Sequence, residues 1–173
     1  KNILFINIIF FSFSCSFKPK SMIFPKTKNY NQIKIGFGSC LNQNKPMPIF
    51  DPIKSEKVDL FLMIGDNVYG DSKKEDLEEL KLAYKIQKKN FQMMNLDLPF
   101  QAIWDDHDYG LNDAGIEYPF KQKSKELFLD FWDVPSDDVR RSREGLYFDL
   151  IYEINNKTLQ ILFLDTRTFR ENL

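Results

Sequence analysis

The only histidine of the chain, His107, lies in the stretch IWDDHDYGLND, residues 103–113, with three aspartates around it. Neighbouring carboxylates repel one another, and each raises the pKa of the next unless a cation lies among them. Carboxylate oxygens are hard ligands, so Asp105, Asp106 and Asp108 would suit calcium or magnesium. With Asp108 orienting its ring, His107 would serve as a general acid toward a leaving oxygen. The stretch therefore predicts metal-dependent acid chemistry.

A second group of potential ligands occurs earlier, in GFGSC (36–40) and GDNVYGD (65–71). Asp66 and Tyr69 are three residues apart, so one turn of backbone could aim both side chains at one ion. Cys40 adds a thiolate, and phenolate with thiolate favours a strongly polarising, redox-capable ion such as iron(III). A harder cation beside it would complete a metal pair able to activate water and to neutralise a phosphoryl group.

These polar residues follow predicted strands. The hydrophobic pattern predicts strands near 33–37, 58–64 and 98–104, helices over 73–94 and 120–132, and two strands within 145–167 around Asn155 and Asn156. Ser72 and Glu75 predict a capping box for the first helix. Strands alternating with helices indicate an α/β fold, in which sites form outside the carboxyl ends of strands. We therefore expect the clusters GSC, GDNVYGD, DDHDYGLND and DTR to converge on one cleft.

Taken singly, each of these residues has an ordinary structural explanation. Aspartates after strands are common turn residues, and a lone cysteine is commonly a small buried hydrophobe. Their joint placement at strand ends is what favours a site. Residues 106–117 also resemble an EF-hand loop, but Gly110 and Leu111 stand where that loop needs an oxygen ligand and a glycine, so we do not expect one.

Composition limits the class of protein. The 173 residues suffice for one domain with a core, and a net charge of −1 argues against a nucleic-acid partner held by bulk electrostatics. The charge is uneven: residues 1–50 hold seven lysines and no acid, whereas residues 51–173 hold 17 basic and 25 acidic groups. The acidic part is the part that contains the candidate ligands.

The N-terminal segment, residues 1–15, has the proportions of an export signal. An apolar run over 3–13 follows Lys1 and precedes Ser14 and Cys15, as in a lipoprotein signal whose cysteine is acylated. Residues 16–32 predict a tether, and residues 33–173 the domain. We therefore expect a periplasmic, cell-surface or secreted protein that contacts a membrane only through a lipid anchor at Cys15.

The quoted motifs, with VDLFLMIGDNVYGD, IWDDHDYGLNDAG and LFLDTR in this order, resemble the alkaline phosphatase D (PhoD-like) family of calcineurin-like metallophosphoesterases. The resemblance spans about residues 33–173. It implies a β-sandwich flanked by helices and the hydrolysis of phosphomonoesters and phosphodiesters outside the cytoplasm. It also implies iron(III) together with calcium, other divalent metals being alternatives.

The resemblance also implies roles for individual residues. Cys40 and Tyr69 are similar to ligands of the iron, Asp66 to the carboxylate that bridges the metals, and Asp106 to a ligand of the second metal. His107 and Asp108 resemble the catalytic histidine and its orienting acid. Asn112 and Arg167 are similar to positions near the substrate.

The chain departs from the family in one respect. Family members supply further histidine ligands from later strands, whereas His107 is the only histidine here. We therefore expect the N-terminal half of the enzyme, with weak metal binding and little activity alone. The alternative is a non-catalytic cell-surface lipoprotein that binds calcium or phosphate.

Overall fold

The computed structural model describes residues 31–96 and 98–171, which form five strands and five helices. The strands are β1 Ile35–Gly38, β2 Leu60–Ile64, β3 Phe100–Ile103, β4 Phe148–Ile154 and β5 Lys157–Phe163. The helices are α1 Phe50–Ser55, α2 Glu78–Met94, α3 Asp106–Tyr109, α4 Lys121–Phe131 and α5 Val139–Ser142. The predicted signal segment 1–15 and most of the predicted tether 16–32 lie outside the described residues and stay predictions.

The first three strands form a parallel sheet in the order β1-β2-β3. Ile35 pairs with Leu60, and Phe61 pairs with Phe100, so β2 lies in the middle. The run LFLMI of β2 is apolar at every position, as expected of a central parallel strand. Because all three strands run the same way, their carboxyl ends lie at one edge of the sheet, and this edge carries the candidate site.

Helices cover one face of this sheet and bury an aromatic core. Phe61 of β2 packs against Phe50 of α1, with ring centroids 6.2 Å apart. Phe100 of β3 stacks on Phe91 of α2 at 5.6 Å and contacts Trp132, at the end of α4. These rings are at most 6% exposed, so their burial is a main source of stability for the described domain.

The last two strands form a separate antiparallel hairpin. Its turn residues, Asn155 and Asn156, have φ values of 49° and 62°, the left-handed pair that a two-residue turn needs. The rings of Phe148 and Phe163 stack at 4.2 Å across the base of the hairpin. After β5 the side chain of Asp165 accepts the backbone N–H of Leu146 at 2.7 Å, which ties the two ends of the hairpin together.

A cleft of about 310 Å³ lies between the second face of the parallel sheet and β5. Leu62 and Ile64 line it on one side, and Ile161 and Phe163 on the other. Several large apolar side chains around this face are exposed, namely Phe37, Ile64, Leu162 and Leu164. Among the described residues, no helix covers this face as helices cover the opposite one.

The structure corrects the prediction for helix α2. The helix begins at Glu78, and Ser72 does not cap it; the Ser72 hydroxyl instead bonds the side chain of Glu79 within the first turn. The short helices α1, α3 and α5 were not predicted, because four to six residues are too few to display helical periodicity. Within the described residues, no helix has the length and apolarity needed to cross a membrane.

Candidate metal centre

The loops that follow β1 and β2 are bound to each other at the carboxyl edge of the sheet. The N–H of Cys40 donates to the carbonyl of Gly65 at 3.2 Å, and the N–H of Leu41 donates to the carbonyl of Asp66 at 2.8 Å. Cys40 and Asp66 both have left-handed backbones, with φ of 59° and 47°. These bonds hold two predicted ligands from distant parts of the sequence next to each other.

Gly65 allows the loop after β3 to approach as well. Its φ is +118°, and a Cβ at this position would lie 2.7 Å from the Cβ of Asp105. Only glycine accepts both the backbone conformation and this close contact. The third loop, with Asp106 and His107, therefore reaches the first two.

Asp66 lies at the centre of the cluster. Its Oδ2 accepts the hydroxyl of Tyr69 at 3.2 Å and lies 3.6 Å from the thiol of Cys40. Its Oδ1 is buried and has no hydrogen-bond partner among the described residues. Burial raises the pKa of Asp66, and the negative charge of Asp106 raises it further. A carboxylate buried in this way is suited to a cation, which would satisfy the free oxygen and reverse the pKa shift.

Asp66, Asp106 and His107 form a metal-capable group, with one ligand atom from each within 4.8 Å of the others. Burial alone would raise the pKa of Asp106, but the N–H of Asp113, donated at 2.7 Å, and the charges of Arg167 and His107 outweigh it and lower that pKa. Asp106 is therefore held as a carboxylate beside Asp66.

Asp66 is thus shared by two sets of donors. The thiol of Cys40 and the hydroxyl of Tyr69 contact Oδ2 of Asp66. Asp106 and His107 form the metal-capable group with Asp66. Thiol and phenol on one side, with carboxylates and imidazole on the other, match the predicted division between a polarising ion and a harder one. The donor set therefore fits a metal pair with Asp66 between its members.

The ring of His107 is held by the loop after β2. Its Nδ1 lies 2.8 Å from Oδ1 of Asp71, and its ring centroid lies 4.3 Å from that of Tyr69. Burial opposes the charged form of His107, but the bond to Asp71 and the nearby carboxylates outweigh it and raise the pKa. The imidazolium form is accordingly favoured.

The structure corrects the predicted partner of His107, because Asp108 bonds elsewhere. Asp108 is fully buried, its Oδ2 accepts the N–H of Asn67 at 3.0 Å, and its Oδ1 accepts the N–H of Asp105 at 2.6 Å. Burial raises the pKa of Asp108 to about 7. As residue N3 of the short helix α3, it forms a capping box with Asp105. Its role is to hold the loops after β2 and β3 together.

The two predicted substrate-binding residues are placed differently. The guanidinium of Arg167 donates to Asp105, and its Nη2 lies 3.8 Å from Oδ1 of Asp106. Its Nη1 is buried and has no partner among the described residues, so Arg167 brings an available donor to the cluster. Asn112 is exposed and bonds the side chain of Asp113 at 2.8 Å, which places it at the margin.

Sequence reasoning missed Asp71 and Asn67 as individual members of the site. Both lie in GDNVYGD, the segment already expected to contribute ligands. The signal that could have found Asp71 was chemical: a catalytic histidine needs an orienting carboxylate, and this segment offered a second aspartate. The sequence analysis assigns this role to Asp108, the neighbour of His107 in sequence, whereas the structure pairs His107 with Asp71.

Comparisons with known proteins bear on the fold. No protein-family model matches the sequence, and no curated protein matches it either. The chain is similar to a solved structure described as "Structure of PhoD", with a TM-score of 0.61, 17% sequence identity and 84% of this chain covered. The match covers 33% of that protein, so this chain spans about a third of its length. The predicted α/β class and the resemblance drawn from the motifs are therefore confirmed at the level of the fold: this chain has the fold of part of PhoD.

Proposed function

We propose that this chain carries one wall of the active site of a metal-dependent phosphoester hydrolase, acting on phosphomonoesters, phosphodiesters or both. The observation that supports this most directly is Asp66, whose carboxylate lies between two sets of donors with one oxygen unsatisfied. The PhoD-like fold adds support, because the cluster occupies the edge at which α/β sheets bind ligands.

Each residue has a defined part in the proposed site. Cys40, Asp66 and Tyr69 would hold iron(III), and Asp66 with Asp106 would hold calcium or another divalent ion. Bound metals supply positive charge to phosphoryl oxygens and lower the pKa of water. Arg167 and Asn112 would bind the phosphoester, and His107 would supply a proton to its leaving oxygen.

Arg167 would bind the phosphoryl group. Its Nη1 is a buried donor without a partner among the described residues, and Asp105 fixes the guanidinium through a second nitrogen. A guanidinium held in this way matches the planar geometry of phosphate oxygens. Asn112 would contact parts of the substrate farther from phosphorus, because it lies at the exposed margin.

His107 would donate a proton to the leaving oxygen. The bond to Asp71 raises the pKa of His107 and so favours its charged form, which carries a transferable proton. The ring faces Tyr69 and lies within the metal-capable group, so the proton is delivered at the cluster. The predicted export would place this chemistry outside the cytoplasm.

Hydrolysis of p-nitrophenyl phosphate and bis-p-nitrophenyl phosphate tests the proposal. The chain and the intact gene product are assayed with iron and calcium, after chelation and after reloading. Asp106→Asn should lower kcat by more than the roughly 10–100-fold that loss of an outer-sphere partner costs. Asp137→Asn is the control, because Asp137 is an exposed aspartate in the segment between α4 and α5.

The visible absorption spectrum of the iron-loaded protein provides a second test of the proposal. Iron(III) bound to Tyr69 should give a visible charge-transfer band that is absent from Tyr69→Phe and retained by Tyr147→Phe, since Tyr147 lies outside the cluster. Hydrolysis that does not depend on metal, or a complete absence of hydrolysis by the intact gene product, would contradict the proposal. Calcium binding without hydrolysis or colour would favour the non-catalytic alternative.

A further inference from the structure

The side-chain amide of Gln43 pairs with both backbone groups of Tyr69. The N–H of Tyr69 donates to Oε1 of Gln43 at 2.9 Å, and Nε2 of Gln43 donates to the carbonyl of Tyr69 at 2.8 Å. We propose that Gln43 is a positioning residue, which clamps the backbone of Tyr69 and so presents the phenol to Asp66 and to iron bound beside it. The effect on iron rests on the proposed function, whereas the clamp itself does not.

The clamp requires a side chain of this kind. Tyr69 lies in the segment after β2 that belongs to neither a strand nor a helix, so its backbone groups need another partner. A backbone N–H only donates and a carbonyl only accepts, so the partner must offer an acceptor and a donor side by side, as a primary amide does. Because Gln43 is only 5% exposed, water has little access to take its place.

Helix α2 holds both sides of the clamp. Asn90 of this helix donates to the backbone carbonyl of Gln43 at 2.8 Å. Gly70, next to Tyr69, packs so closely on the same helix that a Cβ there would lie 2.6 Å from the α2 backbone. The segment that carries Tyr69 therefore has little freedom to move, and its hydroxyl bonds Oδ2 of Asp66 at 3.2 Å.

The backbone around Asp66 is held by other bonds. The N–H of Leu41 donates to the carbonyl of Asp66 at 2.8 Å. The carbonyl of Asn67, the next residue, accepts Nε2 of Gln87, a fully buried residue of α2, at 2.9 Å. Removing the clamp should therefore release Tyr69 and leave Asp66 in place.

The replacement Gln43→Met tests this in the intact gene product, because methionine is of similar length, carries no charge and can form neither bond. In the iron-loaded variant, the visible band from Tyr69 should shift and weaken per bound iron. The Kd for iron should rise by about 10–100-fold, the usual cost of losing an outer-sphere partner. The Kd for calcium should stay unchanged, because Asp66 keeps its own bonds. Gln122→Met, at an exposed position of α4, should change none of these.

Hydrogen exchange of the metal-free protein tests the clamp without iron. The amide of Tyr69 should be protected in the native protein and should exchange roughly 2–10-fold faster in Gln43→Met, as expected for the loss of a single hydrogen bond. The amide of Leu41 should keep its rate. Gln43→Asn, whose amide is one methylene too short to bond both groups, should give the same results and replaces the methionine variant if that variant does not fold.

Three results would overturn the proposal. A Tyr69 amide that exchanges in the native protein as fast as in an unfolded chain would exclude the clamp, and this measurement needs no variant. An unchanged band and an unchanged Kd for iron in a folded variant with a lower Tm would show that Gln43 has only a structural role. An equal rise in the Kd values for iron and calcium would show that the whole loop had loosened.

Failure of the proposed function is distinguishable from failure of the clamp. In that case the native protein would show neither the visible band with iron nor hydrolysis. The exchange rate of the Tyr69 amide in the metal-free protein would still respond to Gln43.

Discussion

At the scale of single residues, the surroundings of Asp66 are unfavourable to its ionised carboxylate. It is 7% exposed, it has one oxygen without a partner among the described residues, and it lies beside a second carboxylate, Asp106. Each of these features opposes a negative charge in the metal-free chain. If Asp66 holds a metal as proposed, it contributes to metal binding at the expense of the stability of the metal-free chain.

The substitution Asp66→Asn separates these two contributions. Asparagine tolerates the left-handed backbone at this position, where φ is 47°, and it removes the charge. We expect the metal-free variant to be as stable as the native chain, or more stable by up to about 1 kcal/mol. At a calcium concentration 100-fold above Kd, the native chain should gain about 2.7 kcal/mol and the variant almost nothing.

Thermal unfolding with and without calcium measures this difference. Asp133→Asn is the matched control, because Asp133 is also left-handed, with φ of 50°, and is exposed. The control should gain stability from calcium as the native chain does. A calcium response in Asp66→Asn equal to that of the control would remove Asp66 from the metal centre.

At the scale of elements, the site depends on short connections rather than on the strands themselves. The hairpin is fastened by Asp165, which accepts the N–H groups of Leu146 at 2.7 Å and of Thr168 at 3.0 Å, and the Thr168 hydroxyl at 2.7 Å. Burial alone would raise the pKa of Asp165, but these donors outweigh it and lower that pKa. Because Arg167 follows two residues later, this turn also sets the position of the guanidinium.

Replacing Asp165 by Asn should destabilise the chain by roughly 1.5–3 kcal/mol at pH 7, the range for hydrogen bonds to a charged group. A depressed folded pKa stabilises the native state fully above the unfolded value, about 3.9, and this contribution is lost as the pH falls through the folded value. The difference between native and variant chains should therefore shrink below about pH 4.

Denaturant unfolding as a function of pH tests this expectation. Asp149→Asn provides the comparison, because Asp149 is exposed on β4 and accepts a single side-chain bond from Gln160. That change should stay within about 0.5 kcal/mol at every pH. An Asp165→Asn effect that persisted unchanged at pH 3 would show that the charge is not involved.

The sequence predicted the strands and long helices because their patterns are local. The runs in β2 and β3 and the pair Asn155–Asn156 correspond to the observed sheet and hairpin. The convergence of GSC, GDNVYGD and DDHDYGLND also followed from strand direction. The pairing of His107 with Asp71 did not, because side-chain partners across 36 residues depend on loop conformation that no local pattern encodes.

At the scale of the whole molecule, the two faces of the parallel sheet differ. One is covered by helices, whereas the other opens to the cleft of about 310 Å³ and leaves Phe37 72% and Leu164 69% exposed. Large exposed apolar side chains near a cleft are typical of association surfaces. The PhoD structure is about three times the length of the matched part, so its fold includes material that has no counterpart in this chain.

We expect the 173-residue chain to associate through this open face. Replacing Phe37 and Leu164 together by Lys should raise the concentration at which oligomers appear by roughly tenfold or more, since each buried side chain of this size contributes about 1.5–3 kcal/mol. Sedimentation velocity measures the change. Met93→Lys, at a 68% exposed position on α2, should have no such effect. An equal effect would mean that association does not depend on the open face of the sheet.

The distance in sequence between Arg167 and Asp105, 62 residues, also has a consequence for the order of folding. The metal-capable group is brought together by the loops after β2 and β3, but the guanidinium joins it only after the hairpin has docked. Closing such long loops costs entropy before any contact is gained, so the complete cluster forms late. The contact of Arg167 with Asp105 should therefore slow unfolding rather than accelerate folding, and its loss should shorten the lifetime of the native state before it changes the folding rate.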